Sequence, residues 1–178
     1  MSKKNEIYKI TLSAFFIGLS YVLPFLTGQI PQIGSMLCPM HIPVILCGYI
    51  CGWKYGIIVG LTSPLMRSLT LSMPPMFPTA LCMSLELATY GLVSGFLYNL
   101  LPKKTINIYV SLFIAMLCGR IVWGTAMFSF LGFSIEKFSF FSFWAGAFAN
   151  AIPGIIIQIV FIPVIILVYN TVIKKVKN

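Results

Sequence analysis

Residues 78–101, PTALCMSLELATYGLVSGFLYNLL, form an apolar run with a single acid, Glu86, inside it. At about 1.5 Å of rise per residue, a helix of that length crosses a hydrocarbon layer. A carboxylate at such depth is costly, so it is expected to face a polar cavity or a cation and to mark a functional path. The chain has three acids in all, and the other two, Glu6 and Glu136, fall where water is expected. Glu86 is therefore the residue around which a fold has to be built.

The composition allows only one broad setting. With 59% hydrophobic residues, 8% charged residues and a mean hydropathy of +0.98, the chain has too little polar surface for a soluble globule. It reads as an all-α integral membrane protein, one domain over residues 1–178. The start, MSKKNEIYKI, has lysines ahead of an apolar run, as a signal peptide does. No small-residue cleavage site follows, so an uncleaved first helix is expected. The net charge of +9 comes from lysines at the termini and in polar breaks, which is a topological pattern and not a nucleic-acid surface. Cys38, Cys47, Cys51, Cys82 and Cys118 lie in or beside apolar segments with one histidine in the protein, and read as small packing residues. No cofactor or metal is expected.

Six spans can be drawn. The first, residues 8–27, holds Ala14 and Gly18, a small-xxx-small pair that flattens one helix face and admits a second helix. That second helix could belong to the same bundle or to a separate membrane subunit. Residues 41–52 and 55–71 are shorter apolar helices split by the Gly-Trp-Lys turn at 52–54, and Arg67 lies about a turn from the end of the second. The fourth span is 78–101. The fifth, residues 106–131, carries Arg120 and Trp123, and the sixth, residues 143–172, carries Asn150, Pro153 and Gln158. Three uncharged or Phe-rich connections, 28–39, 72–79 and 132–142, have the composition of loops folded over the mouth of a bundle. With both termini in the cytoplasm, Lys3, Lys4, Lys9, Lys54, Lys103, Lys104, Lys174, Lys175 and Lys177 all fall inside and Lys137 alone falls outside.

This topology places Glu86 roughly 10 Å and Arg120 about 16 Å below the outer surface. Arg67, His41 and Asn150 fall in the same half, beneath the apolar loops, as in a pocket with a lid. A conducting pore or proton path would need polar groups through the inner half as well. Glu86 and one arginine could form a structural ion pair that fixes helix register. Two intramembrane arginines against one carboxylate leave a surplus cation, however, and a polar or anionic solute would satisfy it. The candidate binding residues are thus Arg67, Glu86, Arg120, Asn150, His41 and Trp123.

The stretches CPMHIPVILCGYICGWKYGIIVGLTSPLMRS and MPPMFPTALCMSLELATYGLVSGFLY, with six short spans and the Ala14/Gly18 strip, resemble the substrate-binding S components of energy-coupling factor (ECF) transporters. The resemblance covers nearly the whole chain and is most specific over residues 36–98. It implies a vitamin-uptake subunit in a prokaryotic plasma membrane that binds its ligand from outside. It also implies docking, through the Ala14/Gly18 face, to a membrane coupling subunit carried by two ATPase subunits. Gly18 departs from the family's usual AxxxA, though glycine still permits close approach. The HIPVILCG and ELATYG segments look closest to the branch associated with pantothenate; folate, riboflavin and pyridoxine-type ligands stay open.

Three other classes stand beside this one. A proton-coupled secondary transporter would use Glu86 as carrier and show paired half-repeats, which the chain lacks. An intramembrane enzyme would need a nucleophile-base pair or a metal set. A structural membrane subunit would require Arg67, Arg120 and Glu86 to neutralise one another without a ligand.

Overall fold

A computed structural model describes residues 3–27, 37–131 and 152–177. Among these residues the chain is helical. Helix α1 (Lys3–Val22) runs into a 3-10 turn (Leu23–Thr27). Then come α2 (His41–Cys51), α3 (Trp53–Leu71), a π-helical turn (Met76–Ala80), α4 (Leu81–Leu100), α5 (Thr105–Leu131) and α6 (Ile152–Lys177). Four segments of the described residues are long and apolar enough to cross a membrane: Asn5–Leu26, Met76–Leu100, Thr105–Phe130 and Ile152–Val172. The 11 residues of α2 give only about 16 Å of helix. Nearly all of them are buried, so α2 sits inside the bundle and exposes little of itself to lipid.

The joints follow from local chemistry. Gly52 alone separates α2 from α3, at φ +103°, a value that side chains disfavour; its N–H caps α2 on the carbonyls of Cys47 and Gly48. At the far end of α3, Ser72 takes the left-handed conformation and donates to the Ser68 carbonyl at 2.9 Å. Leu101 leaves the helical region just ahead of Pro102, which ends α4.

Helix α4 is the centre of the bundle. It packs against α2, α3 and α5, while α1 lies over α2 and α3, and α6 over α2 and α5. Glycine is what lets α2, α3 and α4 meet backbone to backbone. Gly56 and Gly60 on α3 face Gly91 and Leu87 of α4, and Gly95 of α4 faces Gly48 of α2. A Cβ on Gly91 would lie 2.4 Å from the Gly56 carbonyl carbon, and one on Gly60 would lie 2.5 Å from the Ala88 nitrogen. Between helices in lipid, where burial from water supplies no drive, such contact and interhelical hydrogen bonds are the main adhesion. Around this seam lies a core that includes Val44, Ile45, Val59, Leu87, Leu112 and Ile162.

The helices alternate in direction. One end of the bundle gathers the start of α1, the α2–α3 turn, the break at 101–104 and the end of α6. Every lysine of the described residues belongs to this end. It is bound together by polar contacts between helices. Tyr49 donates to the Ile108 carbonyl at 3.0 Å and pairs with the Ser111 hydroxyl at 2.8 Å, and Asn170 donates to the Tyr98 hydroxyl at 2.8 Å. The opposite end carries the Met76–Ala80 turn, whose Phe77 packs edge-on against Phe130 of α5.

Candidate functional site

Glu86 lies in the second turn of α4 and is 2% exposed. Three side chains converge on its Oε1. Arg120 of α5 pairs with it through Nη1 at 3.0 Å. Tyr90, four residues along the same helix and so on the same face, donates its hydroxyl at 3.0 Å. His41, the first residue of α2, brings Nε2 to 3.6 Å, within ion-pair range but beyond a hydrogen bond.

Local sequence explains why these groups meet. Gly119 precedes Arg120, and a Cβ there would come within 2.3 Å of the Tyr90 ring. The missing side chain lets that ring lie against α5, which brings the Arg120 guanidinium within reach of α4. The His41 ring packs against Tyr90, with centroids 5.2 Å apart and planes tilted 55°. The backbone N–H of His41 donates to the Cys38 carbonyl at 3.1 Å, which starts α2 at this point. Cys38, at φ +47°, also brings its sulfur to 3.9 Å from Arg120 Nη2.

The polar groups are not equally satisfied. Glu86 has a full-strength ion pair and a phenol donor. His41 is 3% exposed, and neither ring nitrogen has a hydrogen-bond partner among the described residues. A buried polar group in that state is uncommon and calls for an explanation.

Of the residues singled out in the sequence, the structure thus brings Glu86, Arg120 and His41 together. Trp123 follows Arg120 on α5, half-buried. Asn150 lies outside the described residues, as do all of the connection at 132–142 and most of that at 28–39. Arg67 stands elsewhere. It is 4% exposed, donates through Nη1 to the Tyr21 carbonyl at 2.9 Å and lies 5.2 Å from the Phe25 ring centroid. Tyr21 is near the end of α1, where carbonyls run out of helical partners and the helix dipole favours a cation. The surplus cation that charge counting assigned to a solute is therefore met by protein atoms of α1, and that argument for a captured anion falls. Tyr90 was not anticipated; its i+4 spacing from Glu86 was the available signal.

An apolar groove of about 360 Å³ runs beside α5, lined by Tyr109, Val110, Leu112, Phe113, Ile114 and Ile159. No member of the Glu86 cluster lines it.

A helical bundle with lysines gathered at one end and a buried polar cluster in the opposite half defines a multi-pass membrane protein built around an internal polar site. The chain matches the family described as ECF transporter, substrate-specific component, over residues 8–166, and it belongs to that family. Membership makes it a membrane-embedded, substrate-specific subunit of a transporter and not an enzyme, one that works with a small-molecule substrate and with coupling and ATPase partners. Comparison with curated proteins and with solved structures returned no match.

Proposed function

We propose that this chain captures a water-soluble vitamin, pantothenate first among them, from outside a prokaryotic plasma membrane. It then delivers the vitamin together with a coupling subunit and two ATPase subunits. On this reading the bundle counts six helices, of which α2 lies within it and is too short to cross the bilayer by itself, and the lysine-bearing end, with both termini, is cytoplasmic. The binding residues are Glu86, Arg120 and His41, joined by Trp123 and Asn150; Arg67 faces α1 and supports the bundle instead.

The observation that carries this reading is the buried Glu86, Arg120, Tyr90 and His41 cluster, placed in the half of the bundle away from the lysines. Polar groups of the lysine half, in contrast, are bonded to one another across helices. A proton path through the bundle would need buried carboxylates or histidines there as well, and among the described residues the buried ones are Glu86 and His41, so this pattern supports a one-sided site.

Screening pantothenate, folate, riboflavin and pyridoxine against the purified chain by thermal unfolding tests the reading. A ligand present at a hundred times its Kd adds about 2.7 kcal/mol of apparent stability, several degrees of Tm. Pantothenate is expected to give the largest rise. A rise with another of the four reassigns the vitamin, and no rise with any of them overturns the binding reading.

The Ala14/Gly18 strip supports docking to the coupling subunit. Both residues are exposed, and a Cβ at Gly18 would meet no atom within 4 Å, so no helix of the described bundle covers this face. Gly18→Leu is expected to leave vitamin binding unchanged and Tm level or slightly raised, since leucine is the better helix former and the new Cβ meets no atom within 4 Å. Uptake by the assembled transporter is expected to be lost. Uptake at the wild-type rate would remove this face from the interface.

A further inference from the structure

The chemistry around His41 bears on which part of the substrate it meets, granted the binding reading above. Glu86 already holds Arg120 at 3.0 Å, so the pair is neutral as a unit. Arg67, the other intramembrane cation of the described residues, is turned to the Tyr21 carbonyl. A neutral imidazole offers one N–H and one lone pair. Nε2 faces an acceptor, Glu86 Oε1, at 3.6 Å, which places the proton of that form on Nε2 and the lone pair on Nδ1. Nδ1 is buried and lacks a donor among the described residues.

We infer that His41 is a specificity-determining residue whose Nδ1 accepts a hydrogen bond from an uncharged donor of the substrate, a hydroxyl or an amide N–H. The cluster thus reads a neutral portion of the vitamin and not its carboxylate. A carboxylate brought here would set two anions against the single Arg120 guanidinium and would find no donor at Nδ1. Discrimination of this kind is strong because a buried polar group left unpaired penalises any ligand that lacks the matching donor.

Two ligands and two variants test the inference. Pantothenate and its neutral alcohol, panthenol, share hydroxyls and amide and differ only at the acid end. In His41→Asn the amide oxygen takes the place of Nδ1; His41→Phe keeps the ring volume and removes both nitrogens. Binding is measured by calorimetry on the purified full chain, with Tm and gel filtration confirming that each variant is folded. His41→Phe is expected to weaken both ligands by the same factor, about ten- to a hundredfold, and His41→Asn to restore most of the loss for both. Weakening confined to pantothenate would mean that His41 reads the carboxylate, and equal binding by wild type and His41→Phe would mean that it reads nothing; either overturns the inference alone. Failure of wild type to bind pantothenate overturns the pantothenate reading and this inference with it.

Discussion

Glu86→Leu is expected to be the most destabilising change at the polar cluster, because it leaves Arg120, 8% exposed, as a buried cation without a counter-ion. Removal of one member of a buried ion pair costs about 3 to 5 kcal/mol, since the survivor keeps its desolvation penalty and loses its compensation. The Tyr90 hydroxyl and the Arg120 guanidinium both lose their Oε1 acceptor at once. Thermal unfolding of the purified chain would show this as a drop in Tm of several degrees or as failure to purify a monodisperse protein. The paired variant Glu86→Leu with Arg120→Leu is expected to recover most of the loss, because it leaves no unpaired buried ion, and the part not recovered reports the Tyr90 hydroxyl left without its acceptor. Neither variant should bind the vitamin. A single variant that melts with the wild type would mean that Arg120 finds another anion, and would take the ion pair out of the structural account.

The same cluster shows how far residue pattern alone reaches. Glu86 was conspicuous because an acid inside an apolar span is rare and costly, and depth along the helices placed His41 and both arginines in its half of the bundle. Depth does not give azimuth. Arg67 and Arg120 were equivalent candidates at that stage, and only the packing of α3 beside α1, with α5 beside α4, separates the one that binds a backbone carbonyl from the one that binds Glu86. Counting charges also ignored the carbonyls at the end of α1, which serve as an anion in all but formal charge. That omission left out the partner that the folded protein supplies to Arg67.

Small-residue spacing had a similar limit. Ala14/Gly18 was picked out as a strip for close helix approach, and the chain itself leaves it exposed. Gly56/Gly60 and Gly91/Gly95 have the same four-residue spacing, were passed over, and form the tightest seam in the bundle. The spacing announces a flat face in every case; whether that face closes on a helix of the same chain depends on which neighbour the connections deliver. The single-glycine turn at Gly52 forces α2 and α3 together, and α4 returns between them. The strip on α1 has no such partner among the described residues.

Gly91→Ala and Gly18→Ala therefore make a matched pair with opposite expected outcomes. Alanine replaces glycine in a helix at a gain of about 1 kcal/mol where space is free. At Gly18 nothing lies within 4 Å of the new Cβ, so Tm should stay level or rise slightly. At Gly91 the Cβ would sit 2.4 Å from the carbonyl carbon and oxygen of Gly56, and these are backbone atoms that cannot swing aside. Helices α3 and α4 must separate, and overpacking costs about 1 to 3 kcal/mol, here toward the upper end because the atoms met are backbone, enough to outweigh the propensity gain. The damage should reach the site, since Gly91 follows Tyr90 directly and Leu87 faces Gly60 along the same seam. Moving α4 away from α3 shifts the Glu86 carboxylate relative to Arg120 and His41, so vitamin binding is expected to fall along with Tm in Gly91→Ala and to persist in Gly18→Ala. Equal melting of the two variants would mean that α3 and α4 can part without cost, and the glycine seam would lose its claim to hold the polar cluster in register.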